Sequence, residues 1–286
     1  MKFSVVIVNY DSWPYTLQCI RSLYETGYED FEIIVVDNDP RSIPPELSHP
    51  VHLIQNPENL GFSRACNVGI AASKGELVVL INPDSFVERS FFEEVESFFK
   101  RNPTVGVAGP RIVDGQGVLQ LSARKELNFV SGLLGRTSLF VRLFPKSPIV
   151  KRLFPAAQYP SSSTEIDWVS GACMILRRRT LEEIGPMDER FFMYFEDADL
   201  CRRARKTGWL VYYLPQVEVI HHTGASSRSR LRARLKAIWN LHKSAFLYHR
   251  KHGPHGPLQL YSLLTLLGLC LRTFVKLGAL LVRRGR

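Results

Sequence analysis

The chain predicts an α/β fold with a mostly parallel sheet, and three observations carry that expectation. Short β-rich apolar runs alternate with helical patterns through the first hundred residues, three of those runs end in polar tips, and strand and helix patterns resume after residue 165. Taken in order, FSVVIV, FEIIVV, VHLIQ and ELVVLI read as strands, with Trp13–Glu25 and Arg64–Ser73 as helices between them. After Gly109 the pattern weakens, and Leu121–Glu165 mixes Leu, Phe, Pro and bases without a sustained period. RLFP occurs there twice, which is too little for a structural repeat and suits a flap or an amphipathic surface. Order returns with a strand over Val169–Leu176, a helix from Arg179, a turn at GPMDE, a helix from about Glu196, and two strands in WLVYYLP and VEVIHH.

The polar tips are Asn9-Tyr10-Asp11, Asp37-Asn38-Asp39 and Asn82-Pro83-Asp84. In open α/β sheets ligands bind outside the carboxyl ends of the strands, so polar groups gathered there from separate strands suggest a site, whereas one such tip alone reads as a turn. Between them NLGFSRACNVG, Asn59 to Gly69, offers flexible backbone at Gly61, a base for phosphate at Arg64 and an amide for a nucleobase or ribose at Asn67. Neither GxGxxG nor GKS/GKT is present, which removes the dinucleotide fingerprint and the P-loop.

FMYFEDADLCRRARKTG, Phe192 to Gly208, places three acids in four positions. At about 100° per residue, Leu200, Cys201 and Ala204 share one helix face, Glu196 and Asp199 lie around the rest, and Asp197 falls in the middle of the apolar face. Asp199 has Arg202 and Arg203 at ion-pair spacing and reads as a surface pair. A carboxylate directed into apolar surroundings needs a partner, and such groups are the ones tuned for proton transfer, so Asp197 is a candidate base as well as a helix N-terminal acid.

The 286 residues carry a net charge of +10, unevenly spread. No Asp or Glu follows Glu218, while residues 228–286 hold 13 of the 37 Lys and Arg. The apolar run before Asn9 is too short for a signal peptide's core. Leu258–Arg284 is apolar over a helix length but contains Arg272 and Lys276, each costing about 2.5 to 3.5 kcal/mol at a bilayer centre. That favours a helix lying in an anionic membrane surface over one that spans, with a core-packing helix as the alternative. Five cysteines without CxxC spacing read as buried thiols of a reducing compartment.

In order, SVVIVNYDS, VVDND, NLGFSRACNVG, LINPDS, SGACMILRR, GPMDERFFMYFEDADLCRRARKTGW and VIHHTGASS resemble the motifs of family 2 glycosyltransferases, and among them the bacterial rhamnosyltransferase group. The resemblance spans about residues 4–227. It implies a GT-A fold over 1–227, with a nucleotide-binding part to about residue 110 and an acceptor and catalytic part over 111–227; beyond it, the basic, amphipathic composition of 228–286 reads as a membrane-associating tail. Carried over by position, it sets the nucleotide against Val8, Asn9, Tyr10, Asp37 and Asn67, with Arg64 nearby and Asn82 and Asp84 closing that side. Asp84 stands at the last position of the family's DxD element, whose first carboxylate is here Asn82. Asp84 and a histidine of the doublet, His221 by register in preference to His222, would then hold Mg²⁺ or Mn²⁺.

The same resemblance assigns Asp197 as general base of an inverting transfer, with Glu196 beside it and Trp168 and Gly171 toward the acceptor. dTDP-rhamnose is the expected donor, with UDP-sugars open. The expected acceptor is a lipid-linked glycan at the inner face of the cell membrane, met from the cytoplasm. A glycoside hydrolase would need no nucleotide site, and adjacent Glu196 and Asp197 diverge on a helix. A nucleotidyltransferase would carry a Gly-rich triphosphate loop. A nucleic-acid-binding protein could use the basic tail with Trp239 and Tyr248, but the tail's Leu-rich, amphipathic character argues for lipid. The oligomeric state is not written in the sequence.

Overall fold

The computed structural model describes residues 1–124, 147, 160–222 and 231–253. The first strands and helices form where expected: β1 (Phe3–Asn9), α1 (Trp13–Tyr24), β2 (Phe31–Asp37), β3 (His52–Gln55), α2 (Phe62–Ala72) and β4 (Leu77–Ile81). α1 opens with Pro in its first turn, where a missing N–H costs nothing. β1 and β2 are parallel, with Asn9 opposite Asp37, so two of the polar tips lie side by side. β4 flanks β1 on the other side, also parallel.

Beyond β4 the sheet becomes mixed. Further elements are β5 (Ser85–Val87), α3 (Phe91–Arg101), β6 (Val105–Val113), β7 (Leu119–Gln120), β8 (Ala123–Arg124), β9 (Thr164–Glu165), β10 (Trp168–Val169), β11 (Cys173–Arg177), α4 (Arg178–Ile184), α5 (Glu196–Lys206) and β12 (Leu210–His221). The main path runs β3-β2-β1-β4-β11-β6-β12-β5, with β7 on β6 and β9 on β12, while β8 and β10 make a separate antiparallel ribbon. β11 is antiparallel to both β4 and β6 and joins the parallel half to the β6–β12 pair, itself parallel.

Two strand expectations are corrected. Val169–Leu176 is not one strand: β10 and β11 belong to different sheets, and the turn Ser170–Ala172 separates them. WLVYYLP and VEVIHH are one strand, β12, with a register shift between Leu214 and Glu218 where Pro215 offers no N–H to the ladder. α3 buries Phe91, Phe92, Val95, Phe98 and Phe99 against the sheet. At about 1.5 to 3 kcal/mol for each large apolar side chain, it is a principal clamp on the core. Its acids in the first turn and bases in the last suit the helix dipole.

The chain divides into two compact units. Described residues of the first are 1–124, 160–192 and 196–222; those of the second are 147, 193–195 and 231–253. In the second, α6 (Leu231–His252) carries the segment 193–195: Ser244 Oγ donates to the Met193 carbonyl at 2.8 Å, and the Tyr248 ring lies 5.6 Å from that of Phe195. No helix among the described residues is long and apolar enough to cross a membrane. The Leu258–Arg284 expectation lies outside the described residues, as does most of the aperiodic stretch after Leu121.

Candidate active site

At the strand tips, side chains brace one another and leave one acceptor open. Asn9 Oδ1 accepts the hydroxyls of Ser12 and Thr16, each at 2.9 Å, which turns its Nδ2 to donate to Asp37 Oδ1 at 2.9 Å. Asp37 is 1% exposed, and its Oδ2 is buried with no hydrogen-bond partner. Buried polar atoms are almost always bonded, so an unserved acceptor at a strand's carboxyl end is what a ligand N–H or O–H would complete. Val8 is buried behind it and Tyr10 is 40% exposed at the edge. Asn9 therefore acts as a brace that aims Asp37.

Asn38 hangs the next loop from β2: its Oδ1 accepts from Asn56 Nδ2 and the Leu60 N–H, and its Nδ2 reaches Asn59 Oδ1 and the Gly61 carbonyl. Gly61 has φ 82°, and a Cβ there would come within 2.6 Å of the Phe192 ring. Close packing and a left-handed backbone, not flexibility, are thus what the glycine supplies. Two expected ligands are turned elsewhere. Asn67 Oδ1 accepts the Met187 N–H and its Nδ2 donates to the Met187 carbonyl, both at 2.9 Å, so its amide clasps α2 to the GPMDE turn. Arg64 faces Glu189, 3.7 Å away on the surface.

At the tip of β4, Asp84 is 6% exposed and its Oδ1 lies 3.3 Å from His221 Nε2. Gln120, which sequence reasoning missed, decides the state of that ring. Its Nε2 donates to the His221 carbonyl at 2.7 Å, and a carbonyl only accepts, so Oε1 must be the atom 2.9 Å from His221 Nδ1. Nδ1 therefore carries a hydrogen, and Nε2 is the ring atom that faces the carboxylate oxygen. Two lone pairs so close repel unless a proton or a cation is bound by both, and a mixed N and O donor pair suits Mn²⁺ better than the oxygen-preferring Mg²⁺. His222 is turned away: its ring packs 5.3 Å from Phe86, and its N–H donates to the Asp84 carbonyl. Among the described residues no group of three or more His, Cys, Asp or Glu is placed to hold a metal ion.

The turn Ser170–Ala172 connects this end to the acids of α5. The Ala172 carbonyl accepts the Asn82 N–H at 3.0 Å and the Ser85 hydroxyl at 3.2 Å, while the Gly171 N–H donates to Asp197 Oδ2 at 2.9 Å. Asp197 Oδ1 accepts the Ala198 N–H at 2.8 Å, and the residue as a whole keeps part of its surface exposed. Burial pushes its pKa up, while the Gly171 N–H and then the Arg124 charge hold it back. Glu196 is 5% exposed with Oε2 unbonded. Burial first, and then the neighbouring Asp197 charge, push its pKa well above the ordinary 4.5. The two residues before this pair, Tyr194 and Phe195, have φ of 71° and 67°, a backbone that non-glycine residues rarely adopt.

Asp199 departs from the surface pair expected of it. It is fully buried, bonded to Arg203 Nε at 2.9 Å, and Arg203 in turn caps the carbonyls of Ile184 and Pro186. Trp168 is 7% exposed, and the Arg124 guanidinium sits 4.8 Å over its ring. Arg124 therefore covers one face of the ring expected to lie toward the acceptor, and it has no signal in the sequence because β8 is two residues long and lies within the aperiodic stretch.

A parallel half-sheet with a braced acceptor at its tips, running on through β11 into a mixed half that bears paired acids, is the architecture of the GT-A glycosyltransferases. The chain belongs to Glycosyl transferase family 2, whose profile matches residues 4–185, and within it is rhamnosyltransferase-like. It is 30% identical over 264 residues to the N-acetylglucosaminyl-diphospho-decaprenol L-rhamnosyltransferase of Mycobacterium tuberculosis, covering 85% of this chain and 82% of that one. With the dTDP-rhamnosyl transferase RfbF of Shigella flexneri it shares 25% over 236 residues, 78% of this chain and 69% of the relative. Among solved structures, the mannosyltransferase PcManGT from Pyrobaculum calidifontis, in complex with GDP-Man and Mn²⁺, superposes with a TM-score of 0.58 at 17% identity over 97% of this chain and 75% of that one.

Proposed function

We propose that this glycosyltransferase moves rhamnose from dTDP-rhamnose to a hydroxyl of a lipid-linked or cell-surface polysaccharide acceptor, with inversion at the anomeric carbon. The observation that carries the reading is the Ser170–Ala172 turn, which bonds on one side to Asp197 and on the other to the Asn82–Ser85 tip. It couples a proton acceptor to a nucleotide-diphosphate end across three residues. Asp37 Oδ2 would accept an N–H of a pyrimidine base, with Tyr10 at the rim. Asp84 and His221 would hold a divalent cation, which when bound supplies charge to the departing diphosphate.

Asp197 takes the proton of the acceptor hydroxyl as its oxygen bonds to the anomeric carbon and the bond from that carbon to the diphosphate oxygen breaks. The Gly171 and Ala198 N–H groups hold the carboxylate in place through the step. Glu196, buried against Gly171, has its proton affinity raised further than that of Asp197, which favours Asp197 as the ionised member of the pair. The donor reading is supported by the names of the rhamnosyl relatives. The cation is supported by the facing Asp84 and His221 atoms and by Mn²⁺ in the mannosyltransferase. The acceptor reading follows the decaprenol-linked substrate in the mycobacterial relative's name, and the basic tail at 228–286 would keep the enzyme on the inner face of the membrane where such lipids are presented.

Thermal denaturation with dTDP, UDP or GDP, each with and without Mn²⁺, tests it. Ligand at 100 times its Kd adds about 2.7 kcal/mol of stability. The largest shift is expected with dTDP plus Mn²⁺. A preference for UDP changes the donor, and no shift with any nucleotide overturns the proposal.

A further inference from the structure

Helix α6 carries a surface that the transfer reaction does not use. Asn240, His242, Ser244, Ala245 and Tyr248 form its buried side. Lys236, Trp239, Lys243 and Arg250 are all exposed, Trp239 by 66%. At 100° per residue these four fall within an arc of about 60°, and at 1.5 Å per residue the row is about 20 Å long. Half-buried Phe246 and Leu247 flank it. With no Asp or Glu after Glu218, the segment supplies no acid to interrupt the row.

Positive charge of this kind suits any polyanion, and the aromatic content separates the candidates. A nucleic-acid groove stacks successive bases on several aromatic rings. Here one indole stands among aliphatic stems and ammonium groups, the composition that settles at the headgroup level of a bilayer. We propose that this face of α6 lies flat on an anionic phospholipid surface, with Trp239 at headgroup depth and Lys236, Lys243 and Arg250 against lipid phosphates. The proposal rests on the membrane-side reading of residues 228–286 and adds that α6 itself is an attaching element, alongside any contribution from Leu258–Arg284.

The test uses the full chain with vesicles of phosphatidylcholine alone or mixed equally with phosphatidylglycerol. Each base near an anionic surface is worth about fivefold in binding, so a combined Lys236→Glu, Lys243→Glu and Arg250→Glu variant should bind mixed vesicles about a hundredfold more weakly. A Lys236→Arg, Lys243→Arg variant should bind as wild type. Comparing wild type with Trp239→Phe isolates one indole's fluorescence, which should shift blue and be quenched by brominated lipid on mixed vesicles only. The dTDP-induced rise in melting midpoint should be unchanged in all variants; its loss in wild type would count against the transferase reading and leave the lipid result standing. Binding of the triple Glu variant within twofold of wild type, an unshifted Trp239, or preference for RNA over the mixed vesicles overturns the proposal.

Discussion

The strand-tip end of the site and the α5 end treat their carboxyl groups in opposite ways. At the tips, Asp37 keeps one oxygen served by Asn9 and the other open, and Asp84 is matched to a histidine whose proton is held on the far side by Gln120. At α5, Asp199 is neutralised by Arg203, Asp197 receives only backbone N–H groups, and Glu196 Oε2 receives nothing. The contrast teaches a division of labour. Carboxylates with side-chain partners, or with a gap for a ligand, hold charge in place, while carboxyls left to burial have their proton affinity raised above the ordinary carboxylate range.

If the two ends divide the work, removing Asp197's charge should stop chemistry alone. Asp197→Asn is expected to lower kcat about a hundred- to ten-thousandfold in a sugar-transfer assay, and substantial remaining transfer would rule out Asp197 as the base. On the other side, Gln120→Ala should free the His221 ring and weaken Mn²⁺ affinity about 10- to 100-fold, read by titrating Mn²⁺ against the dTDP-induced midpoint shift. Gly61→Ala drives a Cβ into Phe192 and should cost about 1 to 3 kcal/mol in denaturant unfolding.

The pH response sharpens the contrast further. Glu196 has a raised folded-state pKa, so its contribution to stability is fully present below the ordinary 4.5 and is lost as pH rises toward the folded value. Glu196→Gln should therefore melt higher than wild type above that range, with a gap that widens as pH rises, checked by melting curves at several pH values. A smaller effect is expected at Trp168: Trp168→Ala should raise the acceptor KM a few-fold, since Arg124 already occupies part of the ring.

Much of the frame was legible because it rests on local signals. β1, β2 and β4 are continuous apolar runs ending in polar residues, and the tips they carry hold Asp37 and Asp84. α3 is also written in the chain, since Phe91, Phe92, Val95, Phe98 and Phe99 recur at helical spacing. β6 was hidden by Gly106, Gly109 and Pro110, residues that weaken a strand pattern. What the sequence did not disclose depends on distant partners. Gln120 lies 101 residues from the histidine it orients, Asn67 is 120 residues from the Met187 backbone it binds, and Asp199 looks like a surface acid until α5 packs it inward. Helical periodicity placed Asp197 on the apolar face, and only the folded chain shows Gly171 and Ala198 serving it.

The central claim is that nucleotide holding and proton removal reside in separable groups. The most direct test compares the melting midpoint of wild type, Asp197→Asn and Asp84→Ala with and without dTDP and Mn²⁺. A wild-type shift is expected for Asp197→Asn and a largely lost shift for Asp84→Ala. Loss of the shift in Asp197→Asn, or its full retention in Asp84→Ala, would contradict the claim.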